Sequence, residues 1–364
     1  MRTLSAALIT AQQNTLAKPY IKLSINGTNY WSRLLYIQHV QQPYLGYANI
    51  VLENHDRTLD SIDLTGYDFG IAYGHTTGNA VAEPNGDGST NEYSYSPDLW
   101  VKEQAITSVE GESVCELYCE DAWTKLRETK VVAVGALDAT TGIANINDLG
   151  DGMIPYATYT FETSTIWELM RMVIEDVMGW TLNTLATTGT ISDGIVDVTV
   201  PSFTIDNTQP PTAAELLYAL IGFTKSYLRA RYGKIWDIIY PQVDDVADRT
   251  FYSYQIPYFN EYKEKVKVLI PNSIAVFCNN PTNAMPWPDP VIVGTASDVH
   301  AVYGEVLDLE YAQGITNQTD ADNVAGAILT KILAEKDAGK LVMAHDAGVE
   351  LYDKLDIIDA RGLS

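Results

Sequence analysis

One stretch of the sequence alternates polar side chains of the kind that bind calcium. Its candidate ligands are Asn85, Asp87, Ser89 and Asn91. Calcium loops supply oxygen ligands at alternate positions and end with an acid that binds through both of its oxygens. Ser96 stands where that acid should be. The spacing therefore favours a loop of turns over a metal site.

A second cluster, Asn54-His55-Asp56-Arg57, could form an acid–base pair between a histidine and an aspartate. It directly follows an apolar run, Ile50-Val51-Leu52, that is typical of a strand. Asn and Asp side chains accept hydrogen bonds from the backbone two residues further on, so a turn explains the same residues. We interpret the cluster as a turn that follows a strand.

No other pattern indicates catalysis or a bound cofactor. The sequence has no nucleophile elbow, HExxH motif, phosphate-binding loop or GxGxxG fingerprint. Paired carboxylates for glycosidase chemistry stay open, because the chain has 47 acids and none stands out. We therefore assign no catalytic, cofactor-binding or metal-binding residue and expect no cofactor. Five scattered histidines lack metal-ligand spacing: His39, His55, His75, His300 and His345.

The three cysteines, Cys115, Cys119 and Cys278, show neither a disulfide framework nor zinc spacing. Cys115 and Cys119 lie four residues apart in a run that is typical of a strand, and its period of two places both on one face. We predict buried, reduced thiols.

Length and charge restrict the class of protein. The 364 residues are enough for two or three domains. The net charge of −24 is spread over the whole chain and repels nucleic acid, which argues against sequence-specific DNA binding. The same charge suits a wall past which DNA slides. We expect no secretory signal and no membrane span, because no apolar run reaches about 18 residues.

Tyrosine outnumbers phenylalanine by 23 to 7, which favours rings with a polar tip. Such rings suit protein interfaces, carbohydrate surfaces and ordinary β-rich cores alike. Those alternatives stay open. The tyrosines set among polar residues are Tyr93, Tyr95, Tyr252, Tyr254, Tyr258 and Tyr262.

The first of three regions, residues 1–130, is β-rich. A short amphipathic helix precedes a hairpin around Asn26-Gly27, a pair that favours a type I′ turn. We read residues 76–96 as a loop and residues 122–129 as a helix capped by Asp121. Further strands are predicted at 34–40, 47–52, 69–73, 99–106 and 113–119.

The middle region, residues 131–257, mixes helices and strands. Capping boxes begin helices at Thr165 and Thr212, which end at Gly179 and Gly222. A hairpin is predicted around Tyr232-Gly233.

The last region, residues 258–364, is again β-rich. Strand 264–270 is expected to pair with 273–277, and a helix is predicted over 321–336. A proline-rich stretch covers 281–290, another strand is predicted at 305–309, and the sequence closes with the runs 348–351 and 355–359. The order of elements indicates an α+β protein.

Read in order, these elements resemble the tail hub, or baseplate hub, proteins of tailed bacteriophages and related injection systems. A strand, an Asn-containing turn at Asn54 and the Gly-punctuated run Ile62–Gly70 are similar to the opening of the family's first barrel. The helices that begin at Thr165 and Thr212 resemble those of its middle part. The late helix and the run Leu355–Asp359 resemble the helix and final strand of a second barrel.

The resemblance implies two β-barrel-like domains of the tail-tube type, residues 1–130 and 258–364, which flank a mixed helical domain, residues 131–257. It also implies a homotrimer whose six barrels present a pseudo-sixfold ring to the hexameric tail tube. DNA would pass through this ring without specific binding. We expect a structural protein rather than an enzyme, without the peptidoglycan-cleaving domain of some relatives.

The implied partners are the distal tail protein or tail tube, the tape measure protein, and tail fibre or tip proteins. The protein would be assembled in the host cytoplasm and reside in the virion, at the tail tip. The long loop at 76–96 would either reach a neighbour or form a surface excursion.

Other classes remain open at this point. A hexameric distal tail or tube-like ring protein would differ by its symmetry. A carbohydrate- or receptor-binding tail module would need an exposed platform of tyrosine and tryptophan. A cell-wall hydrolase, either a glycosidase or a peptidase, would need a carboxylate whose removal abolishes turnover.

Overall fold

The computed structural model of the protein describes most of the chain. The described residues are 2–14, 16–109, 111–137, 144–146, 158–184, 193–242, 245–267, 270–278, 292–299, 302–312, 314–335 and 337–360. Within them the fold is α+β, as predicted, and strands outnumber helices.

The first region begins with a helix and continues as one curled sheet. Its elements are α1 (Ala6–Gln12), β1 (Pro19–Ile25), β2 (Thr28–Asn29), β3 (Leu34–Gln42), β4 (Leu45–Glu53), β5 (Asp68–Thr76), β6 (Asn91–Val109), β7 (Glu112–Asp121) and α2 (Ala122–Glu128). The seven strands are antiparallel in the order β2-β1-β5-β6-β7-β4-β3. Two short 3₁₀ turns, Trp31–Arg33 and Thr58–Ser61, interrupt the sequence of strands.

The sheet curls so far that edge strand β3 contacts β5, a strand from the other half of the sheet. His39 Nδ1 on edge strand β3 lies 3.0 Å from the hydroxyl of Tyr73 on β5. Leu23 of β1 and Ile50 of β4 belong to the same buried core, and Ile37 of β3 packs against it. No ladder joins β3 to β1 or β2, so no closed barrel is found among the described residues.

The first hairpin forms as predicted. Asn26 and Gly27 take φ values of 49° and 73°, the pair of positive angles that a type I′ turn requires. The predicted loop is shorter than expected, because residues 91–96 belong to β6. They pair with β5, for example Glu92 with His75, and this pairing outweighs the local turn-forming composition.

The middle region is built around helices. Its elements are β8 (Ala133–Leu137), β9 (Ala144–Ile146), β10 (Thr158–Phe161), α3 (Ile166–Arg171), a π-helical continuation (Met172–Val177), β11 (Thr181–Leu182), β12 (Phe203–Asp206), α4 (Ala213–Gly222), β13 (Tyr227–Arg231) and β14 (Ile235–Ile239). Both predicted capping boxes are present, at Thr165 with Glu168 and at Thr212 with Glu215. A second core joins these helices to α2 and β14.

The last region combines short sheets with a long helix. After β15 (Arg249–Tyr252), which lies at the end of the middle region, its elements are β16 (Phe259–Lys267), β17 (Ser273–Cys278), β18 (Ile292–Ser297), β19 (Leu307–Ala312), α5 (Gln318–Glu335), β20 (Asp337–Met343) and β21 (Leu355–Ile358). Helix α5 covers one face of the sheet β18-β17-β19, where a third core forms. β15 pairs in parallel with β21, and β16 pairs with β20.

One strand pairing predicted for this region is wrong. β16 pairs with β20 instead of β17, because β17 is held between antiparallel β18 and parallel β19. Residues 348–351 are not a strand. They lie in turns in which Gly348 N donates to the Asp346 carboxylate, and Arg2 N donates to the carbonyl of Gly348. The proline-rich stretch at 281–290 lies outside the described residues.

Candidate assembly surfaces

The loop that resembles a calcium site is closed by its own hydrogen bonds. Asp87 Oδ1 accepts the backbone N–H groups of Ser89, Thr90 and Asn91, and Asp87 Oδ2 accepts from Asn91 Nδ2 at 2.6 Å. These bonds use both carboxylate oxygens to hold a turn. Among the described residues, no group of three or more His, Cys, Asp or Glu side chains could hold a metal ion.

The possible acid–base pair does not form. Both guanidinium NH groups of Arg33 donate to Asp56, at 2.9 and 2.6 Å, and these bonds hold the pKa of the Asp56 carboxyl below its usual range. The exposed His55 ring lies 3.9 Å from Glu53 instead. Thr58 N donates to Asp56 Oδ1, the hydrogen bond of the predicted turn.

The three cysteines are buried and lie outside any disulfide of the described residues, as the sequence predicts. Burial raises the pKa of Cys115 to about 11 and that of Cys119 to about 12. Thiols with such a raised pKa are poor nucleophiles at neutral pH.

Tyr93 and Tyr95 of the first sheet do not form an exposed platform. Tyr93 is 1% exposed, and its hydroxyl donates to the carbonyl of Gly86 at 2.7 Å. Tyr95 stacks on Tyr232, with 4.0 Å between the ring centroids. Tyr254 and Tyr258, near β15, are about half exposed. Tyr93 and Tyr95 therefore make contacts inside the protein and do not contribute to an exposed aromatic surface.

Tyr232 lies at the tip of the β13–β14 hairpin and docks this tip on the first sheet. Gly70 makes room for it, because a Cβ at residue 70 would lie 2.5 Å from the Tyr232 ring. The Asp98 carboxylate accepts Lys234 N at 2.6 Å, and Lys234 Nζ lies 3.1 Å from Asp68. These contacts fix the middle region against the first.

Asp98 makes this docking sensitive to pH. Burial, with a smaller contribution from Asp68, raises the pKa of the Asp98 carboxyl to about 6. An unfolded aspartate titrates near pH 4, so the folded state binds the extra proton between these values. The contribution of Asp98 to stability is therefore complete below pH 4 and lost as the pH rises through 6.

We expect Asp98→Asn to remove this dependence. The stability of the variant relative to the wild type should rise by about 2–3 kcal/mol between pH 4 and pH 7, measured by denaturant unfolding. Asp63→Asn is the matched control. Hydrogen bonds from Thr65 lower the pKa of the exposed Asp63 carboxyl, so its contribution to stability changes mainly as the pH falls below about 4, and this variant should show almost no change relative to the wild type between pH 4 and pH 7. Parallel pH profiles for wild type and Asp98→Asn would contradict the prediction.

A buried charge cluster joins all three regions. Arg229, 8% exposed, donates to Asp353 at 3.0 Å, and the Asp353 side chain is 2% exposed. Arg2 Nε lies 3.3 Å from Glu350, which is also within 3.7 Å of Arg229. The cluster consists of three cations and three acids, namely Arg2, Arg229, Arg231, Asp237, Glu350 and Asp353.

Two surfaces stand out because they lack charge in a chain of net charge −24. The first is the β3–β4 hairpin, where no Asp, Glu, Lys or Arg occurs between Arg33 and Glu53. Burial, and then the nearby Arg2, lower the pKa of its His39 to about 4, so this ring is neutral at pH 7. Leu35 and Tyr36 on its edge strand are more than half exposed.

The second uncharged surface, the β19 face, is the side of the sheet β18-β17-β19 that points away from α5. The strand register assigns nine residues to it: Ser273, Ala275, Phe277, Val293, Thr295, Ser297, Leu307, Leu309 and Tyr311. Leu307, Leu309 and Tyr311 are 50–61% exposed. Large exposed apolar patches mark interaction sites.

A groove of about 1000 Å³ begins beside this face. Tyr311 and Ala312 of β19 form one wall, Tyr218 and Phe223 of α4 another, and Ile328 of α5 contributes to the lining. The groove lies where the middle and last regions meet.

Neither uncharged surface was predicted from the sequence. The sequence nevertheless contains a pattern that indicates each of the two surfaces. The β3–β4 hairpin is a run of 19 residues without formal charge, and Leu307, Leu309 and Tyr311 alternate with acids.

The described helices include none with the length and apolar character needed to span a membrane.

Solved structures share this fold. The tail protein from Neisseria meningitidis MC58 aligns with a TM-score of 0.55 and 10% identity, over 95% of this chain and 88% of that chain. The 43 kDa tail protein of prophage MuSo2 from Shewanella oneidensis aligns with a TM-score of 0.55 and 11% identity, over 95% and 91%. No protein-family model and no curated protein matches the sequence. The expected resemblance to phage tail proteins is thus confirmed at the level of the overall fold.

Proposed function

We propose that this chain is a structural protein of a phage-type tail, the hub that joins the hexameric tail tube to the tail tip. The observation that carries the proposal is the fold, shared with two tail proteins over 95% of this chain. Fold alone does not determine function, so the surfaces must supply the rest of the argument.

In the proposed hub, three chains form a ring in which residues 1–130 and 258–364 alternate and residues 131–257 lie beside or below them. The curled first sheet supports a tube-like role for residues 1–130. A ring needs surfaces that tolerate another strongly acidic chain, and the two uncharged surfaces meet that need. The acidic remainder of the surface suits a channel that DNA crosses without binding.

We propose a role without catalysis, at the tail tip of the virion. The residues that could do chemistry support this view, because Asp56 and Asp87 are engaged in turns and the thiols are buried. The partners of the hub would be the distal tail protein or tail tube, the tape measure protein, and fibre or tip proteins.

The mass of the purified protein tests the proposal. Light scattering over a concentration series should give three chains of 40.2 kDa, about 121 kDa in total. The control is the same series at high salt, where screening should favour association of acidic chains. Six chains would contradict the hub and indicate a distal tail or tube-like ring. A monomer at every concentration and salt would contradict a ring that closes on its own.

A further inference from the structure

The β19 face is uncharged and largely apolar, and Leu307, Leu309 and Tyr311 on it are at least half exposed in the described part of the chain. The opposite side of the same sheet is covered by α5, against which Ile274, Val276 and Cys278 are fully buried. No helix of the described part of the chain packs on the β19 face in the same way. Leu309, at its centre, is 50% exposed.

The charges around β19 indicate how a partner would approach. Along β19, Asp308 and Glu310 alternate with the apolar residues and therefore point to the α5 side of the sheet. Acids at an edge strand disfavour the addition of another strand. A partner would therefore contact the face of the sheet and would not extend it.

The absence of charge on the face indicates which partner fits. A basic partner would gain most from the acidic surface that covers the rest of the molecule. An acidic partner is repelled there and can approach closely only where the surface is uncharged. Another copy of this chain, with its net charge of −24, is such a partner.

We propose that the β19 face is buried against a second copy of this chain. This inference rests on the ring described under Proposed function. Burial of Leu307, Leu309 and Tyr311 would supply the apolar contribution to association, and the lack of charge would keep electrostatic repulsion between the copies low.

Leu309→Lys and Leu309→Glu test this assignment by light scattering. Each variant places a charge in the middle of the contact, where burial without a partner is costly. We expect both to raise the protein concentration of half-dissociation by roughly 100-fold or more. Thr295→Lys, on the same face but in β18, should act in the same direction.

Val198→Lys and Val246→Lys are matched controls, because these valines are 70% and 90% exposed and lie outside the β19 face. They should keep the wild-type mass. Circular dichroism and thermal melts of all variants separate dissociation from unfolding, and half-exposed Leu309 should tolerate the change.

Three results would overturn the assignment. Wild-type mass in both Leu309 variants would place the contact elsewhere. If only the Leu309→Glu variant dissociated, and high salt restored its association, the cause would be long-range repulsion between acidic chains and not burial of residue 309. An intact trimer that no longer binds the tail tube would assign the face to a different protein. A monomeric wild type would instead count against the proposed ring.

Discussion

Arg229→Met is expected to lower the free energy of unfolding by about 3–5 kcal/mol, because it removes a buried cation that lies close to two buried carboxylates. Asp353 loses its 3.0 Å partner, and Glu350 loses the guanidinium 3.7 Å away. Methionine keeps much of the apolar volume of the arginine stem, so most of the decrease in the free energy of unfolding would come from the lost positive charge. Chemical denaturation at pH 7 measures it.

A second substitution separates stranded charge from lost packing. Asp353→Asn added to Arg229→Met should recover part of the stability, because the amide needs no buried cation. The matched control is Arg171→Met, since Arg171 and Glu175 form an exposed pair 3.9 Å apart, and its cost should stay below about 0.5 kcal/mol. A loss at Arg229 no larger than that of the control would refute the role of the cluster.

Trp236→Ala should be comparably severe, with a loss of about 3–5 kcal/mol in the free energy of unfolding. Trp236 is fully buried in the middle core. Its ring meets Trp123 edge to face, with centroids 5.2 Å apart, and stacks near Trp180 at 6.1 Å. Alanine would leave a cavity between elements of three different parts of the chain. Chemical denaturation again gives the value.

Trp236→Phe and Trp31→Ala serve as controls. Phenylalanine keeps an aromatic ring and removes a buried indole N–H that has no hydrogen-bond partner among the described residues, so it should cost less than half as much as alanine. Trp31 is 37% exposed, and its removal should cost about 1 kcal/mol or less. Equal losses at Trp31 and Trp236 would argue against a cavity as the cause.

Local chemistry was predictable from the sequence, and long-range pairing was not. The caps at Thr165 and Thr212 and the turn at Asn26-Gly27 are decided within four residues, so each pattern was read correctly. The pairing of β17 depends on β19, which begins 34 residues later, and no local signal specifies that register. The β6 extension is likewise decided by β5.

The features of the candidate surfaces were likewise predictable only where the interacting residues are close in sequence. Single residues such as Asp87 and Asp56 could be interpreted as turn formers because their hydrogen-bond partners are close in sequence. The β19 face needed the strand register, which showed that Leu309 and Thr295 share one side of a sheet. The charge cluster needed the tertiary fold, because Arg229 and Asp353 are separated by 124 residues.

The contact between Arg2 and residues 347–350 has a consequence for how the protein is made. Arg2 donates to the carbonyl of Ala347, 345 residues further along the chain. A ribosome builds a chain from its N-terminus, so Arg2 cannot make this contact until Ala347 has been translated. The N-terminal segment can therefore dock on residues 347–350 only after those residues have been synthesised.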